Sequence, residues 1–336
     1  MPSALAQRRV ERLIAARALP PEVAGRFRDL ADLQEAPDGG YYAFDRRAHA
    51  VHRINAAWTA SAPIVSIGQA KGELLQPSAF DAAGDLFAVS DAPFGVDRIQ
   101  VFFKDGTMLG AFQPRVRSLP RVTIGAAVMN GAGSLTMAGE SVLIGEPDSG
   151  WLVSRYSVEG ELEQSFGHLR ATGHENDPDV HMGLNTGFPL AAADGGYWFV
   201  FQAGVPLLRK YDAAGTLQFE RHIEGAELDP VVQALPDNWP RRQIADDREL
   251  PLILPNVQAA AVAPDGSVWI ALSIPYVYVF DASGEKTRVV QLEGAGTISP
   301  SSLAFRRVGR LLVTPGGYEF DVSVPARNRA APGSTQ

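Results

Sequence analysis

Short runs in which apolar and polar residues alternate recur along the whole chain, and glycine or proline turns, not helical stretches, separate them. The clearest passage begins Gln76-Pro77-Ser78-Ala79-Phe80-Asp81-Ala82-Ala83, turns at Gly84-Asp85, and continues Leu86-Phe87-Ala88-Val89-Ser90-Asp91. It resumes as Arg98-Ile99-Gln100-Val101-Phe102-Phe103, turns at Asp105-Gly106, and ends Met108-Leu109-Gly110-Ala111-Phe112. Alternation of period two predicts strands. Asp-Gly between two such runs predicts a hairpin, because glycine accepts the positive φ that tight turns demand. The passage therefore predicts four antiparallel strands in series.

The same phrase returns along the chain. Its first turn recurs at Asp38-Gly39, Ala138-Gly139, Asp194-Gly195 and Asp265-Gly266, and its second at Glu159-Gly160, Ala214-Gly215 and Ser283-Gly284. From first to second glycine the interval is 22, 21, 20 and 18 residues (84 to 106, 139 to 160, 195 to 215, 266 to 284). A near-constant interval is the mark of one repeated unit. The first copy has Ile54-Asn55-Ala56 where the second glycine belongs. The sixth starts at Ser301, turns at Val308-Gly309 and provides three strands, ending near Val322.

Six such units predict an all-β fold, a six-bladed β-propeller of four-stranded antiparallel blades, closed by an N-terminal strand. An open ring would expose a blade edge. Residues 9–17 are expected to supply the strand that copy six lacks, although their alanines and arginines suit a helix as well. The expected organisation is an N-terminal segment over 1–27, the propeller over 28–323, and a disordered tail rich in Pro, Ala, Gly and Ser over 324–336. First strands carry small residues (Ala191-Ala192-Ala193, Ala259-Ala260-Ala261), which suits the crowded central axis; second strands are bulkier (Tyr197-Trp198-Phe199).

Composition narrows the function. With 46% hydrophobic and 20% charged residues the chain can bury a large core. Its net charge of −8 argues against nucleic acid as a partner. The absence of cysteine removes disulfides, thiolate metal sites and cysteine nucleophiles together. No run approaches the ~20 apolar residues of a membrane helix. As written the chain reads as soluble and cytoplasmic. Ala4-Leu5-Ala6 has the small-x-small form of a signal-peptidase site, and a start further upstream would make it periplasmic or secreted.

In a four-stranded blade, the loop after the second strand and the connection to the next blade share one face, and the two glycine turns share the other. Three long connections, about 113–132, 168–186 and 225–255, therefore project from one face. The middle one places His174, Asp177, Asp179 and His181 together, a donor set suited to a divalent metal, though without a recognised ligand spacing. The third holds Trp239, Arg241 and Arg242, followed by Asp246 and Asp247, as a candidate site for an anionic or aromatic ligand. Packing by Trp239 and acid-pairing by the arginines is the competing reading. Second strands end on this face with Asp45, Asp91, Glu146, Gln202, Ser273 and Thr314, a polar ring of candidate ligand contacts; Asp91 equally suits a structural aspartate of the repeat.

The copy at 76–112 resembles an NHL repeat in its proline-led first strand, its Val89-Ser90-Asp91 ending, its Arg98-Ile99-Gln100-Val101-Phe102 strand and its Asp-Gly turn. The run Ile67-Gly68-Gln69-Ala70-Lys71-Gly72-Glu73 resembles the linker between blades in bacterial six-bladed propellers of that group. This resemblance spans about residues 28–322 and implies the fold; it implies no activity, because the fold hosts enzymes, receptors and scaffolds alike. Compared with lactonases of the regucalcin and gluconolactonase type, Glu35 at the start of the first inner strand and Pro255-Asn256 resemble two elements of the metal site. Pro77, Gly133, Phe188 and Ser301 stand where the remaining ligands would be sought. Peptidylglycine amidating lyases place histidine ligands within their repeats, whereas three of the six histidines here cluster in one connection. No Gly-x-Ser-x-Gly elbow or phosphate loop occurs.

The expected function is thus a non-catalytic binding or interaction propeller that recognises a small molecule, peptide or protein on its loop-rich face, without a cofactor. The alternative is a metal-dependent hydrolase or lyase.

Overall fold

The computed structural model describes residues 10–115, 134–245 and 248–323, together with the backbone of a short pair, Thr123–Ile124 and Ala127–Val128. The Ala4-Leu5-Ala6 motif, most of the 113–132 connection, Asp246, Asp247 and the 324–336 tail lie outside the described residues.

The repeated phrase folds as read. Blade one consists of Leu30–Glu35, Tyr41–Asp45, Ala50–Ile54 and Ser61–Val65, hydrogen-bonded in that order and antiparallel throughout. Blades two to five repeat the arrangement from inner strands Ala79–Ala83, Leu135–Ala138, Gly187–Ala191 and Val257–Val262. Blade six has Ser302–Phe305, Leu311–Thr314 and Tyr318–Phe320 from the C-terminal end of the ring. Each inner strand touches the inner strands of both neighbouring blades, and the sixth touches the first, so the ring closes.

The apolar faces of the blades explain why it closes. Every seam between adjacent blades holds its own buried cluster. Seam one–two stacks Phe80, Phe87 and Phe102 against Tyr42 and Phe44; seam four–five buries Trp198 beside Ile270 and Tyr278. Period two puts alternate side chains on opposite faces of a blade, so each strand feeds two seams.

The two glycine series do different work. Gly84, Gly139, Gly195 and Gly266, in the first turns, have positive φ and open space where a Cβ would be. In the second turns, Gly106, Gly160, Gly215 and Gly284 also have positive φ, but each lies against the outer strand of the preceding blade. A Cβ on Gly160 would stand 2.3 Å from Phe112, and one on Gly215 would stand 2.6 Å from Phe166. The first series serves the turn alone; the second also lets blades approach.

Blade one breaks the second pattern. Its turn puts Trp58 in the left-handed position, with φ 61°, fully buried beside Tyr41. The Arg17 guanidinium lies 4.1 Å from the Trp58 ring centre, so the seam where the chain ends meet is wedged by a tryptophan and a cation.

The N-terminal segment does close the ring, but it divides between two blades. Arg17–Ala18 pairs antiparallel with Tyr318–Phe320 and becomes the fourth strand of blade six. Glu11–Ile14, which the sequence reading had included in that missing strand, instead adds a fifth, parallel strand to Lys286–Glu293 at the edge of blade five. The reason is side-chain chemistry. Leu13 enters the core of seam five–six, and Glu11 makes a two-pronged ion pair with Arg288 at 2.8 and 2.9 Å.

Candidate functional site

The long connections are folded. Residues 168–186 contain the helix Pro178–Leu184, and 225–255 contain the helix Asp229–Gln233 and a hairpin, Arg241–Ala245 with Arg248–Pro251. They pack through Val180, Leu184, Ala203 and Ile253, with Trp239 against them, to form a small cap on the loop-rich face. Trp239 is partly buried against this cluster.

Arg241 joins the two candidate clusters. Its guanidinium donates to the Asp177 carboxylate at 2.6 Å and stands 4.0 Å from Asp179. Burial works to raise the Asp177 pKa, but the Arg241 contact and the Val180 amide hold it below its ordinary value. Asp177 also caps the Pro178–Leu184 helix. His181 lies on that helix with Nδ1 2.7 Å from the Thr172 hydroxyl, while the His174 backbone amide bonds the same hydroxyl. Among the described residues no three His, Asp or Glu side chains form a metal-binding group. Arg242 is exposed on the hairpin.

The polar ring separates into individual roles. Asp45 is fully buried and accepts from the amides of Arg28, Asp29 and Ala48 at 2.7, 3.0 and 2.9 Å, fixing its own loop. Asp91 receives Arg98 through two bonds of 2.9 and 2.6 Å and the Leu75 amide at 3.0 Å, so it ties its blade to the preceding linker. Glu146 accepts from the Tyr156 hydroxyl at 3.0 Å; burial raises its pKa, against that hydroxyl and Ser154. Glu35 ends the first inner strand where it had been read as starting it, and it is held by Arg306 and Arg307. Asn256 is buried and donates to the Gly204 carbonyl across seam four–five.

Of the ring, Gln202 borders a cavity. That cavity is the central channel, about 550 Å³, walled by the inner strands of all six blades. Small residues (Ala31, Ala79, Ala260, Ala304) leave it open, and Gln202, Gln258, Ser134, Thr136 and Ser302 add polar groups.

The channel wall also carries two aspartates that the sequence reading passed over. Gln34 Nε2 donates to Asp32 at 2.8 Å and to Asp81 at 2.9 Å, while Gln34 Oε1 accepts from the Ala82 amide at 3.0 Å. Asp81 further accepts from the Met137 amide at 2.7 Å. One chain of bonds therefore crosses from blade one through blade two to blade three, and Ser302 extends it from Asp32 to blade six. Both carboxyls line the channel and are partly buried. Desolvation raises Asp32 to about 6, against bonds from Gln34, Ser302 and Leu33. It raises Asp81 to about 7, against Met137 and Gln34, with the Asp32 charge adding to the rise. A readable signal existed: an acid in the middle of an inner strand, where other copies carry Thr136, Pro189, Ala260 or Ala304.

These features define a six-bladed β-propeller with a capped loop-rich face and an open channel. Solved structures agree on the fold. A catalytically inactive virginiamycin B lyase from Staphylococcus aureus, crystallised with quinupristin, superposes with a TM-score of 0.51 at 11% identity, covering 84% of this chain and 76% of that one. A streptogramin B lyase gives 0.50 at 11% identity, covering 87% and 93%. At such identity the likeness is one of architecture. No protein-family model and no curated protein sequence matches the chain.

Proposed function

We propose that this protein is a binding propeller that recognises a small molecule, peptide or protein segment at its loop-rich face, with the central channel as the receptacle. The observation that carries this reading is the channel itself. Its volume of about 550 Å³ lies in the range of ordinary ligand pockets, and a wall that mixes small apolar residues with convergent polar groups suits selective recognition. The repeat is taken to be of the NHL kind, on the strength of the 76–112 passage.

The experiment is a thermal-shift screen of small organic ligands and short peptides against the wild-type chain and an Ala260→Leu variant, whose added side chain narrows the channel. A ligand that stabilises the wild type and not the variant supports the reading. A ligand that stabilises both equally places the site elsewhere, and turnover of a lactone substrate by the purified protein refutes the non-catalytic assignment.

A further inference from the structure

We propose that the channel selects a cationic guest: a primary ammonium group, carried on an apolar body, sits between Asp32 and Asp81. The inference rests on the channel being the receptacle and adds the chemistry of what it receives.

The cavity defines the site, and the charges on its wall set the guest. Among the described residues of that wall, Asp32, Glu35 and Asp81 are acidic and Arg46 is basic. Two of these four are already matched within the protein. Glu35 is held by Arg306 at 2.9 Å and by the Arg307 amide, and Arg46 is engaged by Asp29 at 2.9 Å. Asp32 and Asp81 have no ion-pair partner among the described residues.

Both carboxyls are held in the form a cation needs. The nitrogen atoms around them all donate. Asp32 accepts from the Leu33 amide and from Gln34 Nε2, each at 2.8 Å. Asp81 accepts from Gln34 Nε2 at 2.9 Å and from the Met137 amide at 2.7 Å. Such bonds favour the ionised carboxylate. A carboxylate offers about four acceptor positions. Even with the further contacts of Ser302 and the Ala82 backbone, each acid keeps room for another donor. Charges set within protein are ordinarily paired, because leaving them alone is costly. Here the partner has to come through the channel.

The placement fits one guest nitrogen. Both acids stand in the middle of inner strands of adjacent blades, Leu30–Glu35 and Ala79–Ala83. Gln34 Nε2 bonds both, so the accepting oxygens lie within reach of a single nitrogen. An ammonium has three N–H groups and can donate to both acids at once. Calcium or magnesium, by contrast, takes about six oxygen ligands. The wall around the pair supplies carbon instead, from Ala31, Ala79, Ala260, Phe188 and Phe305, which suits the body of an amine. The net charge of −8 adds a field that draws cations toward the molecule.

The test is calorimetric titration of the full chain at pH 8 with hexylamine, its uncharged counterpart hexanol and its anionic counterpart hexanoate. At that pH the amine is protonated, and the solution lies above the values of about 6 and about 7 to which burial raises the two carboxyls. Hexylamine should bind at least about tenfold more tightly than hexanol, the size expected of a charge-assisted bond, and hexanoate should not bind. The double variant Asp32→Asn, Asp81→Asn should lose that preference, and Ala260→Leu should weaken amine and alcohol alike. Nα-acetyl-lysinamide, run beside hexylamine, separates a peptide lysine from a free amine as the source, the tighter binder naming it. Should the double variant fail to fold, the Ala82 and Met137 amide resonances of wild type decide: hexylamine should shift them and hexanoate should not. Absence of hexylamine binding overturns the proposal. Equal binding of amine and alcohol, both weakened in Ala260→Leu, overturns the charge selection and leaves the channel as the receptacle. Amine binding that Ala260→Leu leaves untouched overturns both readings. Calcium or magnesium that excludes hexylamine from wild type and does not bind the double variant makes the pair a metal site and overturns the proposal.

Discussion

Deleting residues 1–19 should destabilise the propeller severely, because that segment is built into two blades. The loss can be worked from its contacts. Leu13 and Leu19 are 9% and 5% exposed, and uncovering each costs about 2 kcal/mol. The amides of Ala15, Ala16 and Leu19 bond to Glu293, Glu319 and Gly317, and at the low end of the usual net value these bonds add about 2 kcal/mol together. Arg17 would no longer cover Trp58, and blade six would keep three strands with an open edge. A total near 6 kcal/mol is comparable with the whole stability of many domains. At ~2 °C per kcal/mol for a chain of this size, Tm should fall by about 12 °C in scanning calorimetry, with a broadened transition. Leu13→Ala and Arg17→Ala, measured singly, separate the blade-five and blade-six shares. A truncated protein melting within about 3 °C of the full chain would refute the reasoning.

Arg241→Ala should leave the circular dichroism spectrum unchanged and cost no more than about 1 kcal/mol, an effect that shrinks with added salt, because its ion pair with Asp177 is partly exposed; denaturation at low and high salt measures it. The two glycine series should respond unequally to alanine. Gly84→Ala meets open space and should cost about 1 kcal/mol for its positive φ alone. Gly215→Ala also drives a methyl into Phe166 and should cost about 2 to 4 kcal/mol; equal urea midpoints for the two variants would count against the role given to the second turns.

Much of this architecture was written locally. Period-two alternation and Asp-Gly turns act over a few residues, so the strands of blade two and the spacing of Gly84 and Gly106 could be read without knowing what packs on what. The reason the second glycines recur was not legible, since Gly160 is required by Phe112 of a different blade. The polar residues that end the second strands were legible in the sequence, but their partners decided their roles. Asp45 turned inward to three amides, Asp91 to Arg98, and Arg241 across 64 positions to Asp177. The split of the N-terminal segment between blades five and six rests on Glu11 meeting Arg288, 277 positions away. The carboxyl pair in the channel arises because ring closure sets Gln34 beside Asp81, 47 residues apart in the chain. Sequence thus determined the repeating unit and its turns, because those energies are local. Tertiary structure alone decided which polar groups brace and which line the channel, because burial and partnership are properties of the assembled ring.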